Sequence, residues 1–478
     1  KGYTGAGNFD VSALEAGDQF GSAVSLSGTQ LAVGAPFDDG VGNSTSAAGA
    51  VYLFNSPFTA PALAGVIGKG YTGTGNLDVG ALAAGDNFGV SVSLSGTQLA
   101  VGAPNDDGAG DSATDSGAVY GFNLAGGGGD PVASATFANN AGVDSTITPA
   151  AITAITNTGS AVVLQANNDL TLAVASDIVT SAGGAGGALT MQAGRSVILN
   201  SDITTDNGDL TITANDPGAQ AANRDFGPGG ITMAAGTTLN AGTGMIVLTV
   251  GAGVAGALGG NIMVENITAT NIELQQNSPT SGSSILRASG SSLLSGTKLL
   301  LEVDHTGAVS GGSIGTSLAP MRVQVSNLEA HTHEVSPGIF IDSPNAGDLT
   351  IGGVPFFGGG VKGVQNVVSG DISVTANGNL ITQPGTAGCG FTGGTGGPIC
   401  TGSSITLAAG NGDLDIGNVV THIGAGLGSL IARASNSILV GGGANITSGG
   451  GAFDITLNSD SDASGAGAVV LGASSPLT

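Results

Sequence analysis

A short phrase recurs through most of this sequence: Gly-Asp, followed by aliphatic and hydroxyl residues in alternation. Its fullest form is Gly-Asp-Leu-Thr-Ile-Thr-Ala at 208–214. Close copies lie at 347–351, 370–374 and 412–416, and looser ones at 168–172 and 452–457. Gly and Asp form turns, and the alternation places Leu210 and Ile212 on one face of a strand. A short strand that returns with a new turn before it predicts a stack of coils.

The spacing of the phrase predicts the size of a coil. Gly187 and Gly208 lie 21 residues apart, and Gly347 and Gly370 lie 23 apart. Coils of about 20 residues, with two or three short strands each, are typical of a parallel β-solenoid. One coil cannot bury its aliphatic face alone, so stacking makes the core continuous. We therefore expect a parallel β-helix over residues 132–478.

Composition favours strands and turns over helix. Gly contributes 88 residues, Trp is absent, and charged residues are only 9% of the chain. Helix formers such as Glu, Lys and Arg are sparse, which predicts very little helix. A hydrophobic content of 41% with repeated Val, Ile and Leu alternation argues against disorder.

The charge balance excludes some partners. With 34 acidic and 9 basic residues, the net charge is −25, so the chain lacks the clustered cations that nucleic acid or an anionic membrane requires. The uncharged stretch 226–264 contains no continuous apolar run of about 20 residues, so we interpret it as solenoid coils and not as a membrane span. The acids are either a solvated face or ligands of divalent cations.

The first part of the chain is a tandem repeat. Residues 1–55 (repeat 1) and 69–123 (repeat 2) align without a gap at a period of 68, and roughly forty of the fifty-five positions agree. In repeat 1, 23–26 and 30–33 flank Ser-Gly-Thr and predict a hairpin, followed by a strand at 49–54. Residues 124–131, with four consecutive glycines, indicate a linker between 1–123 and 132–478.

Repeat 1 resembles the FG-GAP repeat of integrin-type β-propellers at Asp18-Gln19-Phe20-Gly21, at 31–36 (Leu-Ala-Val-Gly-Ala-Pro) and at 49–52 (Gly-Ala-Val-Tyr), and repeat 2 carries the same motifs. The resemblance implies one four-stranded propeller blade per repeat. Many members also carry a calcium loop between the first two strands, but 25–30 holds no acid. Two blades do not close a propeller, which typically has 4–8. Three alternatives account for the missing blades: further copies lie upstream, neighbouring molecules supply them, or the pair of repeats caps the solenoid.

Acids follow the Ala-Pro step of each repeat. They are Asp38, Asp39, Asp106, Asp107 and Asp111. Calcium prefers several oxygens from one flexible loop, so these residues are candidate calcium ligands. The alternative is a solvated acidic loop.

The second part resembles the β-helical shafts of filamentous-haemagglutinin-like adhesins exported by two-partner secretion. The resemblance lies in the Gly-Asp-Leu-Thr-Ile phrases, at 403–410 (Ser-Ser-Ile-Thr-Leu-Ala-Ala-Gly) and at 445–450 (Asn-Ile-Thr-Ser-Gly-Gly). It implies a right-handed parallel β-helix at the surface of a Gram-negative bacterium.

Two further groups are candidate sites. Cys389 and Cys400 lie in a Gly-rich stretch with no other metal ligands nearby, so we expect a disulfide and an oxidising compartment. Glu329, His331 and His333 alternate and would share one strand face. That face either binds zinc or copper, or is an exposed polar surface.

A β-helix could also be a polysaccharide lyase or hydrolase. Such enzymes need clustered carboxylates, usually with Arg or Lys. Asp413 and Asp415, and Asp460 and Asp462, are spaced for one face, but no basic residue accompanies either pair. We therefore predict no catalytic residues and no required cofactor.

The sequence thus predicts an all-β, non-catalytic extracellular protein with a structural or adhesive role. We expect a fibre subunit that self-associates through open β ends. The alternatives are an adhesin that binds glycan or host protein through the repeat loops, and the β-helix enzyme.

Overall fold

The computed structural model describes most of the chain. The described residues are 11–27, 30–55, 62–72, 76–95, 98–108, 112–124, 132, 135–138, 146–278, 282–304, 311–333, 335–354, 363–366, 368–384, 398–442, 444–449, 451–463, 465 and 467–472. The chain divides into two compact units, one of residues 1–135 with 145–147 and one of 136–144 with 148–478. Of the predicted linker 124–131, only Leu124 is described.

The first unit contains two antiparallel sheets. Strands β1 (Ala23–Ser27), β2 (Gln30–Ala35) and β3 (Ala50–Asn55) of repeat 1 and β4 (Ala62–Gly68), which follows it, pair in sequence order. The two-residue strand β5 (Leu77–Asp78) pairs in parallel with the end of β4. In repeat 2, β6 (Ser91–Ser95), β7 (Gln98–Ala103) and β8 (Ala118–Asn123) repeat the arrangement of β1 to β3. The predicted hairpin and the third strand are confirmed.

The second unit is an all-parallel solenoid, as the recurring phrase predicts. Its first ladder runs through β9 (Val162–Ala166), β12 (Leu189–Ala193), β15 (Leu210–Ala214), the second halves of β17 (Thr238–Val250) and β19 (Asn266–Gln276), β22 (Lys298–Val303), β24 (Asn327–Thr332), β27 (Val364–Asn366), β30 (Ile399–Thr401), β33 (Val420–His422) and β36 (Ile446–Ser448).

The second ladder contains β10 (Leu170–Leu172), β13 (Val197–Leu199), β16 (Pro228–Met233), β18 (Leu258–Val264), β20 (Ile285–Arg287), β25 (Val335–Ser343), β28 (Ser369–Ala376), β31 (Ile405–Ala409), β34 (Gly428–Ala434) and β37 (Phe453–Asn458). Single bridges through Ile314 join β20 to β25.

The third ladder contains β11 (Ile178–Val179), β14 (Ile203–Thr204), the first halves of β17 and β19, β21 (Leu293–Ser295) and β23 (Met321–Gln324). A further series begins beside the first residues of β24: β26 (Leu349–Ile351), β29 (Leu380–Thr382), β32 (Leu414–Ile416), β35 (Ile438–Val440) and β38 (Val469–Leu471).

The core of the solenoid is a stack of aligned aliphatic side chains. Leu210 pairs with Leu189 on one side and Ile246 on the other, and Ile212 lies in register with Met191. All of these side chains are fully buried. Each rung therefore completes the burial of its neighbours, which is the physical reason for the repeating phrase.

Coil length is more variable than the spacing of the phrase predicts. Paired positions lie between 20 residues apart, as for Met321 and Ile341, and 36 apart, as for Leu210 and Ile246. The 23-residue spacing of Gly347 and Gly370 is not a coil at all, because β26 and β28 belong to different ladders. The expected coil of about 20 residues is confirmed for Gly187 to Gly208, where Leu189 pairs with Leu210, but it does not hold along the whole solenoid. Turns of very different length connect strands that keep their register.

One short α-helix packs against the first rungs. Helix α1 (Pro149–Thr156) begins at the N-cap Thr148, whose side chain accepts a hydrogen bond from the N–H of Ala151. Ile152 is buried, and the Thr156 hydroxyl lies 2.7 Å from that of Thr180. Two 3₁₀ turns, Val41–Asn43 and Ala221–Asn223, are the other helical segments among the described residues. No helix in the described part of the chain is long and apolar enough to cross a membrane.

Candidate functional site: the acidic loops of the repeats

The acidic loop of repeat 1 is folded around Asp38. This side chain is buried, and its carboxylate accepts hydrogen bonds from the N–H of Gly40 (2.9 Å) and the Tyr52 hydroxyl (2.7 Å). The Tyr71 hydroxyl lies 2.9 and 3.1 Å from its two oxygens. Asp39 accepts a hydrogen bond from the N–H of Ala47 at 2.7 Å. Both carboxylates thus hold the loop that follows them.

Repeat 2 reproduces this arrangement. The buried Asp106 accepts hydrogen bonds from the N–H of Gly108 (2.8 Å) and the Tyr120 hydroxyl (2.5 Å). Asp107 accepts one from the N–H of Asp115 at 2.6 Å. Because the same bonds form in two copies of different sequence, the acid pair acts as a structural clamp on its loop.

The tyrosines of these clamps serve as donors. Burial raises the pKa of Tyr52, and its hydrogen bonds to Tyr71 and Asp38 add to the effect. Burial likewise raises the pKa of Tyr71 and of Tyr120, and the adjacent aspartates add to it. A phenol that faces a carboxylate keeps its proton, so these hydroxyls donate at any physiological pH.

The clamp of repeat 1 positions a loop that binds repeat 2. We call residues 45–49 and their equivalents 113–117 the docking loops, and residues 85–89 and their equivalents 17–21 the inserted segments. Carbonyls of Ser46, Ala47 and Ala48 accept hydrogen bonds from the N–H groups of Gly85 (2.9 Å), Asn87 (3.1 Å) and Phe88 (3.0 Å). The two repeats are therefore joined through backbone bonds on a loop that the acids hold.

Glycines allow this close approach. A Cβ at Gly34 would lie 1.9 Å from the carbonyl oxygen of Gly89, and one at Gly49 would lie 2.1 Å from that of Phe88. Phe88 is fully buried in a core that both repeats share, with Ala48 and Val51 from repeat 1. Its ring meets that of Tyr120 edge-on at 5.4 Å.

This geometry gives the predicted calcium ligands another role. The carboxylates of Asp38, Asp39, Asp106 and Asp107 accept hydrogen bonds from their own loops. Asp111 lies outside the described residues. Calcium binding here stays a prediction, and any ion would have to compete with the tyrosine hydroxyls for Asp38 and Asp106.

A second cluster of charged groups lies on the solenoid. His331 pairs in register with Glu302, and its ring nitrogens lie 3.7 Å from Glu302 and 3.7 Å from Glu329. His333 lies 3.6 Å from Glu302 and 3.9 Å from Asp304. Glu329 and His331 do share a strand face, but they are buried, so the expectation of an exposed polar surface was wrong. Across the described residues, no group of three or more His, Cys, Asp or Glu has the geometry of a metal site.

Glu273 extends this cluster, and no sequence pattern predicted its place in it. It lies on β19, paired with Leu300 of β22, and is fully buried. Burial raises the pKa of Glu273 to about 7, and the Glu302 carboxylate adds to the effect. Its Oε1 accepts a hydrogen bond from the Gln275 side chain. The in-register pairing that creates the cluster depends on coil lengths that the sequence pattern does not reveal.

The paired aspartates considered for catalysis have structural surroundings. Asp413 accepts a hydrogen bond from the N–H of Ser437 at 2.9 Å, and Asp460 accepts one from the N–H of Gly465 at 2.7 Å. Burial raises the pKa of Asp415, and Asp413 adds to it.

One basic residue of the solenoid is also part of a structural pair. Arg195 forms a bidentate pair with Asp169. Burial alone would raise the pKa of Asp169, but hydrogen bonds from Arg195 and the N–H of Ser196 outweigh it and lower the pKa.

A groove of about 620 Å³ crosses the turns of several coils. Hydroxyl and amide side chains predominate in its lining: Thr268, Thr270, Ser295, Thr297, Gln324, Ser326, Asn327, Ser343, Asn345 and Thr350, with Asp348. Such a lining offers donors and acceptors to a polar ligand but no aromatic platform. No local sequence pattern reveals this groove, because its residues come from separate coils.

Cys400 lies on β30 and is fully buried. Cys389 lies outside the described residues, so its pairing with Cys400 stays a prediction.

Comparison with known families supports the assignment of the repeats. The FG-GAP repeat family matches residues 12–54 and 82–122, which are the two segments that carry the docking loops. The match covers less than half of the chain. Searches of curated proteins and of solved structures each found no match.

Proposed function

We propose that this protein is a non-catalytic extracellular protein with a structural and adhesive role, a subunit of a fibre on a bacterial surface. FG-GAP repeats are typical of extracellular proteins. We further assign the solenoid to the right-handed β-helix of filamentous-haemagglutinin-like adhesins, and the repeats to propeller-like blades. The Gram-negative origin and the disulfide between Cys389 and Cys400 belong to the same proposal.

The observation that carries this proposal is the way both units grow by adding equivalent elements. Repeat 2 adds to repeat 1 through backbone bonds, and each rung of the solenoid adds to the one before it in register. The outer positions of the strands are rich in Thr, Ser and Asn, whereas the inner positions are aliphatic. A chain of this kind builds an elongated surface by repeating one short sequence pattern along an axis.

Exposed apolar strand residues support self-association. Val469, Val470 and Leu471 on β38 are 42%, 50% and 49% exposed. In the preceding rung of the same series, Ile438 is fully buried and Val440 nearly so. Another β element on this face would bury Val469 and Leu471 as their partners Ile438 and Val440 are buried.

Electron microscopy of the purified protein at high concentration tests the proposal. Filaments or end-to-end chains are the expected result, and particles that remain single at every concentration would contradict the fibre role. Release of reducing or unsaturated sugar from an acidic polysaccharide would contradict the non-catalytic role.

The polar groove favours a second candidate function, a glycan-binding adhesin. Its hydroxyl and amide lining suits the hydroxyls of a sugar chain. Binding to a glycan array that Thr297→Arg abolishes would support it. Binding unchanged by Thr297→Arg but lost on Asp107→Ala would instead favour the repeat loops as the adhesive surface.

A further inference from the structure

The junction between the repeats uses one inserted segment and one docking loop, but the chain contains two of each. The segment 85–89 of repeat 2 is bound to the loop 45–49 of repeat 1. The segment 17–21 of repeat 1 and the loop 113–117 of repeat 2 are the remaining pair. The segment 17–21 carries the sequence of 85–89 except for Gln19 in place of Asn87, and the loop 113–117 shares with 45–49 its closing glycine and its position after the acid pair.

Exposure distinguishes the bound pair from the remaining pair. Phe88 is fully buried, whereas its equivalent Phe20 is 37% exposed. Val51, beside the bound docking loop, is 0% exposed, whereas its equivalent Val119 is 78% exposed. These are the side chains that the junction would bury if it formed a second time.

Both remaining elements already have the bound conformation. In the inserted segments, Gln19 has φ 52° and Asn87 has φ 53°. In the docking loops, Ala47 has φ 49° and Asp115 has φ 51°. Positive φ is unusual for these residues, and Gln19 and Asp115 have it just as their equivalents at the bound junction do. A second junction would therefore require little ordering of backbone.

The surface beside the remaining docking loop contains a cavity of about 320 Å³. Four of the residues that line it are Gly102, Gly117, Ala118 and Val119. Their equivalents in repeat 1 are Gly34, Gly49, Ala50 and Val51, which are the residues that contact Phe88 and Gly89. The cavity thus has the position that an inserted segment occupies in the bound junction.

We propose that the docking loop 113–117 binds the inserted segment 17–21 of a second copy of this chain, head to tail. The proposal rests on the self-associating function proposed above and names its contact surface. The N–H groups of Gly17, Gln19 and Phe20 would donate to the carbonyls of Thr114, Asp115 and Ser116, as their equivalents do within one chain. Because the two surfaces differ, the contact propagates into chains or closes into rings.

The second junction differs from the first at four of the five positions of the docking loop, and two of these changes alter the polarity of the contact. Asp115 and Ser116 stand where repeat 1 has Ala47 and Ala48, and Ala48 is fully buried at the first junction. A charge and a hydroxyl at this contact weaken association without removing the backbone acceptors. The contact between copies is therefore weaker than the junction within a chain, and Asp115→Ala with Ser116→Ala should strengthen it.

Sedimentation velocity of the full chain over a wide range of concentrations tests the proposal. Wild type should associate. Val119→Asp should raise the dissociation constant about tenfold or more, and the Asp115→Ala, Ser116→Ala double variant should lower it. Val174→Asp is the matched control, because Val174 lies on the solenoid and is also 78% exposed. Association by Val119→Asp equal to that of wild type overturns the proposal, and so does a wild type that remains monomeric.

A mixing experiment tests the head-to-tail geometry. Phe20→Asp removes one half of the contact and Val119→Asp the other, so each variant alone should associate about tenfold or more weakly than wild type. Their mixture should give dimers and no longer species, because each pair keeps one intact contact. Circular dichroism of each variant checks its fold.

Failure of this proposal is distinguishable from failure of the proposed function. Filaments that form equally well with Val119→Asp would leave the fibre role standing and assign its contacts to another surface.

Discussion

At the scale of single residues, the acids of this chain mostly act as hydrogen-bond acceptors for backbone amides. Asp209 accepts a hydrogen bond from the N–H of Met245 at 2.8 Å, and Asp202 accepts one from the N–H of Thr238 at 2.7 Å. Asp38 and Asp106 do the same within the repeats. Much of the negative charge is thus placed where backbone donors in turns need partners.

Glu273 is different, because the hydrogen bond that its buried carboxylate accepts at Oε1 comes from the side chain of Gln275 and not from a backbone amide. Burial raises the pKa of Glu273 to about 7 from its ordinary value of 4.5. The folded state therefore binds a proton more tightly than the unfolded state, and stability falls as the pH rises from about 4.5 to about 7. We expect Glu273→Gln to remove about 1–3 kcal/mol of this pH dependence and to be more stable than wild type above pH 7.

Urea denaturation of wild type and Glu273→Gln across this pH range measures the effect. The variant isolates Glu273 from the nearby His331 and His333, which remain in both proteins. A difference between the two proteins that does not change with pH would contradict the assignment of the titration to Glu273.

At the scale of elements, the turns of the solenoid are linked from rung to rung by side chains. Asp348 accepts a hydrogen bond from the N–H of Asn379, Asn379 accepts one from Asp413, and Asp413 accepts one from Ser437. This chain of bonds runs parallel to the strand ladder. It explains why the repeated phrase begins with Gly-Asp, since the acid binds the next turn.

Asp413 and Asp415 test this account because they are two residues apart on one coil. Asp413→Ala leaves the N–H of Ser437 without its acceptor, and we expect a loss of about 1 kcal/mol. Asp415→Asn should be neutral or stabilising at pH 7, because burial and Asp413 raise the pKa of Asp415 and disfavour its charged form. Thermal unfolding of the two variants measures the difference. Equal destabilisation by both would contradict the assigned role of Asp413.

Sequence alone predicted the rungs but not how they stack. Leu210 and Ile212 could be assigned to the core from alternation, because the side-chain period of a strand is local. The assignment of the phrases at Gly347 and Gly370 to different ladders could not be predicted, because coil length varies and register is set by contacts between coils. The same limit hid the burial of Glu329 and His331.

The docking loops were only half predictable. Asp38 and Asp106 were found from their repeated position, but their clamp depends on Tyr52, Tyr71 and Tyr120, which are distant in sequence. The sequence signal that points to the junction is the segment Gly85 to Gly89, which recurs at 17–21, one repeat period earlier. Its interpretation needed the contacts between the repeats.

At the scale of the whole molecule, net charge opposes the association that the junction favours. Each copy carries −25, so copies repel one another at low ionic strength. Apart from Asp115 and Ser116, the proposed contact consists of backbone hydrogen bonds and apolar side chains, which salt screens little. We therefore expect association to strengthen as NaCl is raised from about 0.01 to 0.15 M, where the Debye length falls from roughly 30 to 8 Å.

Sedimentation velocity in a salt series measures this, and the variants sharpen it. Asp115→Ala removes a charge at the contact itself, so its association should depend less on salt than that of wild type. Association that weakens with salt would contradict a contact made mainly of uncharged groups and indicate opposite charges across it. Comparison of CaCl₂ with NaCl at equal ionic strength also tests the calcium prediction. An effect of calcium on association that Asp107→Ala abolishes would indicate an ion bound at the acidic loop. Equal effects of the two salts would show that screening alone accounts for the change in association.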